Sequence, residues 1–195
     1  MWKNQPFIYI DVWKFLLLLC VSVSLRLFFT AKAQRHKVKN MQQKNIGTEK
    51  ALQKIRHFCS YQERSHQEVK DKLYSFGLYK DEVETLLSQM IEENYLNEER
   101  YAVAFAGGKF RVRQWGRVKI KYELKQKRVS DYCIKKALAS IDEDDYEKTL
   151  EKLFEDKKAS LRSEKNIFIK KQKIQAYLMQ KGFEPSLVSE YLKKM

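Results

Sequence analysis

The residue types that could do chemistry concentrate in one run, KFRVRQWGRVKIKYELKQKR at positions 109–128. Lys109, Arg111, Arg113, Arg117, Lys119, Lys121, Lys125, Lys127 and Arg128 lie within it, and only Glu123 opposes them. Phe110, Trp115 and Tyr122 are interleaved. Cations of this density suit phosphate contacts, and aromatic rings among them suit stacking on exposed bases. The aromatic residues also fit a second assignment, as core and hinge packing beneath a solvated basic face. Ile120 and Leu124 read as core, and Tyr122 lies off their face. The chemistry on offer is binding rather than bond-making.

Elsewhere the chain lacks the usual signatures of catalysis. Cys20, Cys59 and Cys133 are far apart and form no C-x-x-C, so a structural zinc site is not expected. His36, His57 and His66 make no H-x-x-x-H pair; His57 and His66 read as surface or cap-adjacent residues. There is no Gly-rich phosphate loop and no G-x-S-x-G. The chain therefore does not read as an enzyme, and neither metal nor cofactor is expected. Three unpaired thiols fit a reducing compartment.

The elements that must position the basic run are helices. In 195 residues there are 2 prolines and 6 glycines. The prolines, Pro6 and Pro185, sit near the ends, which argues against Gly/Pro-rich disorder and turn-dense β architectures. The net charge is +14, an excess that implies a polyanionic partner. Residues 1–40 carry +6 of it and residues 41–195 the remaining +8, so the basic character does not depend on the N-terminal segment.

That segment stands apart. Residues 15–25 read FLLLLCVSVSL, and the wider stretch 7–29 contains Asp11, Lys14 and Arg26. About 20 apolar residues are needed to cross a bilayer, so a membrane contact is conceivable only through 7–29 and is marginal. Three readings stand open: a misassigned start with Met41 as the initiator, an anchor or peripheral membrane helix, and a cleaved signal peptide. The first is favoured. An uncleaved span would leave the remainder in the cytoplasm, because its basic flank follows it.

From residue 48 the chain reads as short helices with caps. Thr48 is placed to cap a helix over 49–62. Ser65 and Glu68 form a capping box for a helix to about Phe76, followed by Gly77 as a left-handed stop. Asp81 marks the next start, and Asn97 caps a third helix with Glu98 and Glu99 at its positive end. Along that third helix Tyr101, Ala104 and Phe105 read as the apolar face. Arg100 is placed either to bind a carboxylate across units or to stand exposed.

A repeat organises these helices. Val69, Leu73, Gly77, Val83 and Leu87 share their spacing with Ile120, Leu124, Arg128, Ile134 and Leu138, and again with Ile174, Leu178, Gly182, Val188 and Leu192. Apolar residues four apart on either side of a turn place one buried face on each of two helices. The expected fold is all-α: tandem three-helix repeats stacked into an elongated, curved array. Units are expected at about 48–62 (partial), 65–112, 116–159 and 164–195 (partial), within a helical-repeat domain over 41–195. Such units cannot bury their own apolar faces and must stack. Gly116, after Trp115, is expected to permit the turn between units.

At these residues the chain resembles the RecX family, small helical-repeat regulators of the RecA recombinase. The matching pieces are YQERSHQEVKDKLYSFGL (61–78), LNEERYAVAF (96–105), KFRVRQWGRVKIKYELKQKRV (109–129) and, more weakly, KIQAYLMQKGFEPSLV (173–188). Arg64, Ser65 and Glu68, then Asn97 and Arg100, then Trp115 and Gly116 carry the motifs, and their order makes the combination specific. Glu98 departs slightly, since the family often has Asp there. Residues 1–40 depart more, since the family has no membrane leader. The resemblance implies a non-catalytic, cytoplasmic, monomeric regulator in DNA repair and recombination. It would bind the RecA–single-stranded DNA filament along its groove and mainly inhibit it. The alternative from residues 1–40 is a membrane-associated or exported helical-repeat adaptor.

Overall fold

The computed structural model describes residues 45–195. The expected leader (1–40), the stretch 7–29, Cys20 and His36 all lie outside them. Among the described residues the regular structure is wholly helical. The helices are α1 (Thr48–Tyr61), α2 (His66–Tyr74), α3 (Lys80–Glu92), α4 (Glu98–Arg113), α5 (Arg117–Gln126), α6 (Asp131–Ala139), α7 (Glu143–Ser160), α8 (Ile167–Lys181) and α9 (Pro185–Lys193). No helix among these residues is long and apolar enough to cross a membrane.

The caps explain most boundaries. Ser65 accepts the Glu68 amide at 3.1 Å, and the Glu68 carboxylate accepts the Ser65 amide at 3.3 Å. Asn97 accepts the Arg100 amide at 2.9 Å. Ser130, Asp142 and Asn166 cap α6, α7 and α8 in the same way. Two expectations shift. Thr48 lies inside α1, whose cap position is Gly47 at φ 82°. Asp81 lies inside α3, which starts one residue earlier; there the Glu82 carboxylate accepts the Tyr79 amide at 2.8 Å. Acidic side chains just inside a first turn favour the helix end whichever residue opens it, so sequence alone sets such a boundary only to within a residue or two.

Ser65 is fully buried, and its neighbour across the packing is the hydroxyl of Tyr101, which burial above all pushes well above the ordinary tyrosine range. Ser65→Ala removes the side-chain cap from α2. It is expected to cost about 1–2 kcal/mol of stability, read from denaturant melts.

The periodic positions behave alike. Val69, Leu73, Val83, Ile120, Leu124, Ile134, Ile174, Leu178 and Val188 are buried, as is Leu87, while Leu138 and Leu192 pack partly buried against the core. The three turn positions Gly77, Arg128 and Gly182 all take left-handed backbone, with φ of 79°, 57° and 93°. Each copy therefore makes the same turn between its two apolar helices.

A period sets the length of a repeat but not the helix on which it begins. Packing groups the helices as α1–α3, α4–α6 and α7–α9, with α4 lying most extensively on α6. The frame thus begins one helix earlier than the expected units at 65, 116 and 164. The first group closes its own core around Ile55, Leu73, Met90 and Leu96. The other two groups share one continuous core, from Tyr101 through Tyr146 to Val188. On α4 the buried residues are Tyr101, Ala102, Ala106 and Phe110, with Phe105 half-buried. Ala104, expected on this face, is exposed instead.

Candidate nucleic-acid interface

The basic run spans the end of α4, the turn at residues 114–116, all of α5 and the left-handed turn after it. The nine cations divide by what they touch. Arg111, Arg113, Lys121 and Arg128 are exposed, and their side chains make no hydrogen bond or ion pair among the described residues. Lys125 is exposed beside Asp131, 3.2 Å away. These five are the accessible cations of the run.

The other four are engaged in packing. Arg117 binds Glu143 with both guanidinium nitrogens, at 3.1 and 2.5 Å, and stacks 4.2 Å from the Tyr146 ring centroid. Its hydrogen bonds hold the Glu143 carboxyl below the ordinary carboxylate range. Lys119 reaches the Gln180 carbonyl at 3.3 Å and sits over Trp115. Lys109 lies between Phe105 and Trp115, 5.2 Å from each ring. Lys127 pairs with Glu68 of α2. The aromatic residues divide similarly. Phe110 is core, Trp115 is half-buried against the core under two lysines, and Tyr122 stands exposed on α5. Tyr122 is thus the ring of the three that is open to a base.

The turn at Gly116 is positioned by backbone contact. Its φ is an ordinary −74°, and the left-handed residue of this turn is Gln114, at 53°. A glycine is needed here for a different reason from the one expected. A Cβ at residue 116 would fall 2.1 Å from the Gly182 carbonyl oxygen. The Gly116 amide donates to Lys181 O at 2.9 Å and the Val118 amide to Gly182 O at 3.0 Å. The α4–α5 turn and the α8–α9 turn are therefore docked main chain to main chain.

Arg64 and Arg100 also resolve. The Arg64 guanidinium lies 3.9 Å from the Phe58 ring centroid. Arg100 is exposed and also bonds Glu63 at 2.5 Å and the Asn94 carbonyl at 3.1 Å. Two cations that sequence reasoning passed over lie beside the basic run. Lys148 and Lys152 of α7 line a cleft with Arg111 of α4 and Gln114 of the turn after it. Their i, i+4 spacing put them on one face, but alternation with Glu147 and Glu151 hid the sign of that face. Asp145 is the cleft's one carboxylate. Buried Cys59, its thiol pushed up to about 11 by burial, and buried Cys133 offer no nucleophile. No cluster suited to a metal occurs among the described residues.

Three-helix groups in tandem, with exposed cations along α4 and α5, define an all-helical repeat protein. Residues 97–138 match the family model for the second three-helix domain of RecX, and residues 143–192 match that for the third. These are the groups α4–α6 and α7–α9. The chain belongs to the RecX family of regulatory proteins. It is 32% identical over 133 residues to the regulatory protein RecX of Clostridium perfringens strain 13, covering 68% of this chain. It spans 62% of that relative's length. With the RecX of Thermotoga petrophila it shares 28% identity over 163 residues, covering 83% of this chain and 94% of the relative. The crystal structure of RecX from Lactobacillus salivarius superposes with a TM-score of 0.68, over 75% of this chain and 95% of that one. At 24% identity that likeness carries the fold. The Clostridium perfringens and Thermotoga petrophila relatives are named as regulatory proteins.

Proposed function

We propose that this protein is a non-catalytic regulator that binds the RecA–single-stranded DNA filament and mainly limits recombinase activity in repair and recombination. On this reading it acts as a monomer, in the cytoplasm. The observation that carries the proposal is the open strip of Arg111, Arg113, Lys121, Lys125 and Arg128, with Tyr122 exposed among them. A tandem array of three-helix groups suits contact with successive subunits of a filament, and the strip suits the phosphates within it. Arg128 adds weight. The equivalent turns use glycine at this left-handed position, whereas here a cation is kept there at a backbone cost of about 1–3 kcal/mol.

The test is RecA ATPase on single-stranded DNA, titrated with the full chain at low and moderate salt. Inhibition that weakens steeply with salt is expected. The paired charge reversals Arg113→Glu and Lys121→Glu, at exposed sites that hold no partner, are expected to weaken inhibition about tenfold and to flatten the salt dependence without loss of helix. Unchanged inhibition by a folded double variant would remove the strip from the interface. Arg117 is unsuited to this test, because its bond to Glu143 makes charge reversal there a packing lesion.

A further inference from the structure

The two junctions in the array are built differently. Between α4–α6 and α7–α9 the core is continuous and the main chains are bonded directly. Between α1–α3 and α4–α6 the cores are separate, and the contacts include surface ion pairs. Arg100 of α4 bonds Glu63 at 2.5 Å. Lys127, just past α5, bonds Glu68 of α2. Between these pairs lies a cleft of about 390 Å³, with Glu63 and Glu68 on one wall and Phe105, Lys109 and Lys127 on the other.

From this arrangement we infer that the first three-helix group masks part of the basic surface, and that nucleic-acid phosphate must displace Glu68 to engage Lys127 in the cleft beside Lys109. The inference rests on the reading of the basic run as a polyanion interface, and it concerns how that interface is regulated. Glu68 and a phosphate are both oxyanions competing for one ammonium group, so a polyanion drawn to the open strip finds its extension occupied by the protein's own carboxylate. Partly exposed ion pairs are weak and screened by salt, so the mask yields to a polyvalent ligand. Linkage makes the effect reciprocal. Whatever engages Lys127 loosens the junction of α1–α3 with α4–α6, and whatever loosens that junction strengthens binding. Arg100 bonds to Asn94, in the segment joining α3 to α4, so the same junction senses the pair at Glu63.

The test uses the full chain and a fluorescent oligothymidylate, bare and coated with RecA, at low salt. Glu68→Gln keeps a side chain able to complete the capping box, since glutamine serves at that position, but gives up the ion pair. It is expected to tighten binding about two- to fivefold, the range that partly exposed pairs span. Glu92→Gln removes the same charge from an exposed site on the same group and controls for net charge. Glu63→Gln, outside the capping box, is expected to act in the same direction as Glu68→Gln. Lys127→Gln is expected to weaken binding and to abolish the gain from Glu68→Gln in the double variant. Equal binding by Glu68→Gln, Glu63→Gln and the Glu92→Gln control overturns the masking while leaving the interface intact. No binding by the unaltered chain to either form of the oligonucleotide overturns the interface itself.

Discussion

Gly116→Ala is expected to lower stability by about 3 kcal/mol, a fall in Tm of roughly 6–12 °C for a chain of this size. The cause is steric and local. The new Cβ would sit 2.1 Å from Gly182 O and 2.4 Å from Phe183 N, and both are main-chain atoms that cannot swing aside as a side-chain tip can. Relief requires the α4–α5 turn to withdraw from the α8–α9 turn, which breaks the bonds from the Gly116 and Val118 amides and opens the shared core behind them. The φ at residue 116 suits alanine, so no backbone penalty confuses the result. Gly108→Ala supplies the contrast. That glycine lies inside α4 with nothing within 4 Å of its added Cβ, so alanine there is expected to stabilise by up to about 1 kcal/mol. An unchanged melting temperature for Gly116→Ala would mean that the two turns do not touch.

Tyr146→Ala is expected to cost about 3–5 kcal/mol, enough to dissolve the core shared by the last two groups. Tyr146 is fully buried, with its ring centroid 5.8 Å from that of Phe110 and 5.1 Å from that of Phe183. It thereby links α4, α7 and the α8–α9 turn. Its hydroxyl donates to the Glu184 carboxylate at 2.6 Å and accepts the Arg117 amide at 3.0 Å. Burial is the main influence pushing this hydroxyl well above the ordinary tyrosine range, so it keeps its proton at any working pH. Tyr146→Phe separates the two contributions. It preserves the ring and leaves the Glu184 oxygen and the Arg117 amide short of a partner, for an expected cost of about 1–3 kcal/mol. The two variants should therefore be ordered Ala below Phe below wild type in chemical denaturation. Equal stability of Phe and wild type would show that water replaces the hydroxyl without cost.

These two sites illustrate why part of the molecule was legible from its residues and part was not. The helices, the Ser65–Glu68 capping box, the Asn97 cap and the repeat were all readable, because each depends on residues within a few positions of one another or on a spacing repeated three times. The left-handed turn was readable at Gly77 and recurs at the repeat-equivalent Arg128 and Gly182, since a repeat carries its geometry from one copy to the next. The role of Gly116 was not readable. Its partner is 66 positions away, and only docking of the two turns makes a Cβ intolerable there.

The basic run shows the same division in the site. Sequence alone established its composition and its place in the repeat. It could not sort nine cations into free and engaged ones, because that depends on which carboxylates arrive from elsewhere. Glu143 comes from α7 to hold Arg117, and Glu68 comes from α2 to hold Lys127. Arg113 and Lys121, each four residues from Arg117, meet none among the described residues. Sequence by itself determined that this is an all-helical repeat protein with a basic run at 109–128, since hydrophobic period, caps and charge are local properties, and the order of its motifs carried the resemblance to RecX. Tertiary structure alone decided the phase of the repeat, the rigid junction at Gly116 and the identity of the open cations. Those follow from long-range packing and from pairwise electrostatics, which act through space and leave no fixed spacing along the chain.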